Sequence, residues 1–109
     1  MEEFDRVGWA GVKENFKQNY GEYPTVLSLL FIIGLGETPS QPAYTKEQKQ
    51  DVIHVGLCKI LEQVGVYRFS HLDDEQWPHY QLNDNAKEIN IEKQENYIKQ
   101  LIIQYFKDE

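Results

Sequence analysis

The sequence predicts an α+β fold dominated by helix, with four helices and a β-hairpin between the third and the fourth, in a single domain spanning residues 1–109. Two observations carry this reading. Apolar residues recur at helical spacing through most of the chain, and the period changes to two between Gly65 and Leu82. Composition supplies the bound on both: 40% apolar and 13% aromatic residues are too many for a disordered chain. A length of 109 residues lies within the ~100–150 usual for one domain.

The first helix is expected over residues 8–20, where Trp9, Val12, Phe16 and Tyr20 form an apolar stripe weakened by Gly8 and Gly11 and closed by Gly21. The second follows in "YPTVLSLLFIIGLG". Pro24 is tolerated in a first helical turn, Gly34 and Gly36 end the segment, and between Pro24 and Ile33 only Thr25 and Ser28 are polar besides the proline. A helix apolar almost all round belongs at the centre of a domain. "ETPSQPAY", with two prolines, reads as a loop. Thr45 and Gln48 then make a capping box, threonine accepting from a backbone amide of the first turn while glutamine reaches back, so the third helix starts there. Its main stripe is Ile53, Leu57, Ile60, Leu61 and Val64, with Val52 and Val55 towards the other side, and Gly65 ends it.

"VYRFSHL" and "WPHYQL" are alternating, aromatic-rich runs around an acidic link, and Pro78, which cannot donate to a ladder, places its strand at an edge. Treating "DDEQ", residues 73–76, as a four-residue loop pairs Tyr67 with Leu82, Phe69 with Tyr80, His71 with Pro78 and Leu72 with Trp77. That register gathers Tyr67, Phe69, Tyr80 and Leu82 on one face and Arg68, Ser70, His79 and Gln81 on the other, a sorting that a slip of one residue destroys. The last helix is expected from Ile91 to Lys107, capped by Asn90, with Ile98, Leu101, Ile102, Tyr105 and Phe106 on its stripe.

The same register decides the candidate sites. It puts a half-buried, hydrogen-bonded His71 on the apolar face and His79 on the polar face, so both cannot reach one metal ion. A slip of one residue would set them opposite each other, and the metal reading, with His71, Asp73, Asp74 and His79 as ligands, depends on that slip. Leu72 and Trp77 form an apolar pair near the loop, rimmed by Arg68, His79 and the acids, which is the anatomy of a small contact patch. Asp51, His54 and Cys58 share one side of the third helix, yet a cysteine among apolar neighbours in a helix interior lacks the electropositive setting of a reactive thiol. "GLGET" resembles a phosphate loop only superficially, having no lysine and preceding prolines rather than a helix start.

The net charge of −7 is spread so that no segment is basic, against binding of nucleic-acid phosphate or an anionic membrane surface. The order helix, helix, hairpin within residues 24–82 is also that of a winged helix. Its third helix, however, is charge-neutral and its wing tip "DDEQ" repels phosphate. "MEEFDRVGWAG" lacks the basic and apolar regions of a signal peptide, the longest apolar run is too short for a bilayer span, and the lone Cys58 fits a reducing compartment. A cytoplasmic location is expected, with no cofactor. The expected function is that of a small acidic, non-enzymatic module that binds another protein through Leu72, Trp77, His79 and Arg68. The alternatives are a metal-binding protein or metal-dependent enzyme and a winged-helix nucleic-acid binder.

The runs "YP..LSLLFIIGLGE" from Tyr23, "YTKEQKQDVIHVGLCKIL" from Tyr44, "WPHYQL" from Trp77 and the pair Tyr105 and Phe106 resemble those of a family of small uncharacterised bacterial proteins. The resemblance implies a bacterial cytoplasmic source and brings no catalytic residue or cofactor.

Overall fold

In a computed structural model, which describes residues 4–108, the chain runs α1 (Arg6–Tyr20), α2 (Val26–Leu35), α3 (Lys46–Glu62), β1 (Tyr67–Leu72), β2 (Pro78–Leu82) and α4 (Glu95–Lys107). Four helices and an antiparallel hairpin between α3 and α4 are the predicted architecture. Met1 to Glu3, part of the stretch read against a signal peptide, lie outside the described residues. Among the described residues no helix is long and apolar enough to cross a membrane.

Local chemistry sets most boundaries. The Asp5 side chain accepts from the Gly8 amide and starts α1 two residues ahead of its expected position. Thr25 and Ser28 form a reciprocal capping box for α2, and Thr45 and Gln48 form the expected one for α3. Gly65, with φ of 76°, closes α3 through bonds from its own amide to Glu62 and from the Val66 amide to Leu61. These are the two bonds of a Schellman motif, and they turn the chain directly into β1. Asn90 does accept from the Lys93 amide, but residues 91–94 form turns and regular helix begins only at Glu95.

The core lies where α2, α3 and α4 meet. Leu29, Leu30, Val52, Cys58, Ile60, Leu61, Ile98 and Ile102 are its largest fully buried side chains. α3 is covered on more than one side as expected, but its buried face is rotated from the predicted stripe. Val52 and Val55 are buried, Ile53 is only half-buried and Val64 is exposed. The rotation follows from how α2 crosses it. Gly34 lies against the backbone of Val52, and Gly56 against the backbone of Leu30. Gly34, expected to end α2, lies inside it as a contact surface. α1 packs on α4 through Trp9, its buried residue, with Val12 and Phe16 half-buried beside the core.

Candidate functional site

The hairpin is built on two registers. At its base, Tyr67 pairs with Leu82, Arg68 with Gln81 and Phe69 with Tyr80, as the apolar sorting predicts. The Asn83 amide donates to the Val66 carbonyl, the Asn83 side chain donates to Gly65, and the rings of Phe69 and Tyr80 meet edge-on at 5.9 Å. At its tip, the Asp73 amide donates to Trp77, the Gln76 amide donates to Asp73, and Gln76 takes a left-handed φ of 70°. This is a type I turn with a following left-handed residue, one of the common short hairpin links. It pairs Leu72 with Pro78 and His71 with His79, one residue out of step with the base. Ser70 absorbs the difference as the unpaired residue of a β-bulge.

The bulge corrects three expectations. The link between paired residues runs from Asp73 to Trp77, one residue longer than the four-residue loop, because the Asp73 side chain, accepting from the amides of Glu75 and Trp77, organises the turn around itself. His71 moves from the apolar to the polar face, where it is exposed, stacks on His79 at 4.9 Å with the rings 4° from parallel, and lies 2.8 Å from the Ser70 hydroxyl. Leu72 moves the other way, facing Pro78 on the side of Phe69 and Tyr80, not Trp77. At the tip the register therefore does not separate the two histidines. Even so, among the described residues no three His, Cys, Asp or Glu side chains are arranged to hold a metal ion. His79 Nε2 is bonded instead to Asp73 Oδ2 at 2.9 Å, and Asp74 is an exposed loop residue. First the His79 bond, and then the Trp77 amide, hold the Asp73 carboxyl below its ordinary range. The tip therefore keeps these charge-assisted bonds as pH falls past the ordinary carboxylate value, and loses them only as it passes the lowered one.

The four residues predicted as a contact patch are divided among three places. Arg68 is bonded to Gln81 and Asn83 near the base. Leu72 lies on the apolar side. Trp77 and His79 line a cleft of about 420 Å³ between the hairpin tip and α3, whose other wall is Asp51, His54 and Val55. Trp77 is half-buried there, and Pro78 and Tyr80 also line it. The Tyr80 hydroxyl, pushed up to about 12 by burial and then by Glu37 and Glu62, stays neutral. Asp51 and His54 are visible in the sequence as polar residues on one side of a helix, but nothing local places them opposite Trp77.

On the hairpin's apolar side Phe69, Leu72 and Leu82 are 48%, 50% and 37% exposed. Glu62, at the end of α3, accepts from the Phe69 amide and anchors the strand at its base. A second groove, about 350 Å³ between α1, α2 and α4, is mostly apolar. Its polar groups are already engaged, Asn19 with Asn15 and Lys107 with Asp5, which leaves little to orient a ligand.

His54 Nε2 does lie 3.4 Å from Cys58 Sγ, but the thiol is fully buried and burial pushes it up to about 12. A thiolate, the species that attacks, is therefore almost absent at neutral pH. Cys58 in the native protein should react with a thiol reagent at least about a hundredfold more slowly than after denaturation in urea, since access requires opening of the core. Rapid native labelling with a pH midpoint below about 8.5 would restore the Asp51, His54 and Cys58 cluster as a candidate nucleophilic site.

Comparison with protein-family models, with curated proteins and with solved structures finds no match for this chain.

Proposed function

We propose that the protein is a small, acidic, non-enzymatic module that binds another protein, with the hairpin as its contact element. The observation that carries this is the row of Phe69, Leu72 and Leu82, which leaves large apolar side chains about half exposed on a hairpin whose base is tied to α3. Apolar area of this kind costs free energy in water and is recovered when a partner covers it. The acidic cleft beside it supplies a polar rim. Nucleic-acid binding has less support, because Lys59 is taken up by Glu37 and Glu62 and the tip presents Asp73, Asp74 and Glu75.

Co-purification from the host cell, comparing the natural chain with a Phe69→Ser, Leu72→Ser double variant, tests the proposal. A specific partner should be recovered with the natural chain and reduced at least about tenfold with the variant, since two interface anchors each contribute on the order of 1 kcal/mol or more. Circular dichroism confirms that the variant is folded. Equal recovery with both chains would remove the hairpin as the contact element.

A metal-binding reading is favoured by one observation, the tip register that sets His71 opposite His79. Elemental analysis of protein purified without chelator or tag should give less than one transition metal per chain. A full equivalent, lost on His79→Ala, would establish the metal site in place of the contact surface.

A further inference from the structure

The cleft between α3 and the hairpin tip has a composition that selects one kind of ligand. Asp51 on α3 and Glu75 on the tip place carboxylates on opposite walls, and neither carboxylate has a hydrogen bond or ion pair among the described residues. Among the described residues no lysine or arginine lines the cleft, whose basic side chains are His54, 3.4 Å from Cys58 Sγ, and His79, bonded to Asp73. Asp73 is committed to the Glu75 and Trp77 amides and to His79, so it shapes the wall and is not available as a third receptor. Trp77 and Tyr80, both half-buried, and the buried Pro78 belong to the same lining. Resting on the protein-binding reading above, we propose that this cleft receives the guanidinium of an arginine side chain carried by the partner.

Charge complementarity sets the sign of the ligand. Two unpaired carboxylates on a chain of net charge −7 repel an anion and attract a cation. The aromatic wall and the placement of the acids set its shape. A planar guanidinium stacks on an indole face and presents donors in a fixed fork, so it can bond to acids on two different elements at once. An ammonium is a point charge that does this less well. Size is consistent, because about 420 Å³ lies within the range of small-ligand sites and holds one long side chain with water. Continuity fixes the surroundings. Pro78, in the cleft lining, pairs with Leu72 on the exposed apolar row, so the row begins next to the cleft and residues flanking a seated arginine can reach it. The occupant is thus an arginine flanked by apolar residues.

The test uses a capped pentapeptide, Gly-Leu-Arg-Leu-Gly, and the same peptide with citrulline, which keeps the planar shape and removes the charge. The two indole N–H resonances of the ¹⁵N-labelled protein are the readout, with Trp9 in the core as internal control. The arginine peptide should move the Trp77 resonance saturably at about millimolar concentration, the citrulline peptide should bind about tenfold more weakly, and Asp51→Asn with Glu75→Gln should abolish the difference. Equal shifts with both peptides, or none with either, would overturn the proposal. The same acid-neutralised variant separates it from the broader reading. If that variant keeps a partner that the Phe69 and Leu72 variant loses, the module stands and the arginine site falls. If the peptides discriminate while the apolar variant loses no partner, the arginine site stands and the hairpin row falls.

Discussion

Replacing Gly56 by alanine is expected to destabilise the domain by about 3 kcal/mol, whereas the same replacement at Gly11 is expected to stabilise it by about 0.5–1 kcal/mol. Both residues lie inside helices, and alanine is the better helix former at each, so propensity alone gives both changes the same sign. The difference lies in what a methyl group meets. At Gly11 it meets nothing within 4 Å. At Gly56 it runs into the carbonyl oxygen of Leu30, lies 2.8 Å from the carbon of that carbonyl and 3.2 Å from the Gly34 nitrogen. All three atoms are backbone of α2, so no rotamer change relieves the clash and the two helices must separate. Separation loosens Leu29, Leu30, Ile60 and Leu61, which are buried together. Gly34→Ala should behave as Gly56→Ala does, because its methyl group meets the Val52 backbone from the opposite side of the same crossing. Urea unfolding of the three variants is the measurement. A Gly56→Ala protein as stable as the natural chain would mean that α2 and α3 do not approach as closely as described.

These glycines also mark what a sequence can and cannot convey about such a fold. Where a residue's role is settled within a few positions, it is readable: Thr45 and Gln48 announce the start of α3, and Gly65 its end. Gly34 reads as a terminator by the same local logic, yet its role is set by Val52, which the chain brings to it only through tertiary packing. The hairpin divides in the same way. Its base register follows from cross-strand apolar pairing, which alternation in the sequence reveals. Its tip register follows from Asp73 and from a glutamine in a left-handed conformation, with no glycine to signal it. The competition between the two is resolved at Ser70, a residue with no distinguishing chemistry, and that one-residue shift exchanges the faces of His71 and Leu72. The cleft is harder still to foresee, since Asp51 and His54 are separated from Trp77 by more than twenty residues and meet it only because the hairpin folds back along α3.

The two tryptophans should separate cleanly on truncation. Trp9 is 8% exposed and is the buried residue of α1, resting against α4 with the Lys99 ammonium 5.0 Å from its ring centre. Trp9→Ala is expected to cost about 3–5 kcal/mol, the range for deleting a large buried aromatic, and domains of this size have only about 5–15 kcal/mol to lose. Because α1 buries so little else, the loss should appear first as release of that helix, seen as proteolytic cleavage within residues 6–20 under conditions where the rest of the domain still resists. Trp77 is half-buried on a wall of an open cleft, so Trp77→Ala forfeits only part of its contact area and should cost about 1–2 kcal/mol. The Asp73 turn should survive it, since its bonds run to the Trp77 backbone and not to the indole. Partner binding should move the opposite way. A Trp77→Ala protein should remain folded and lose the arginine peptide, whereas a Trp9→Ala protein that is still folded should keep it. Equal destabilisation by the two changes would make Trp77 a core residue, and a cleft built on a core residue has no wall to offer a ligand.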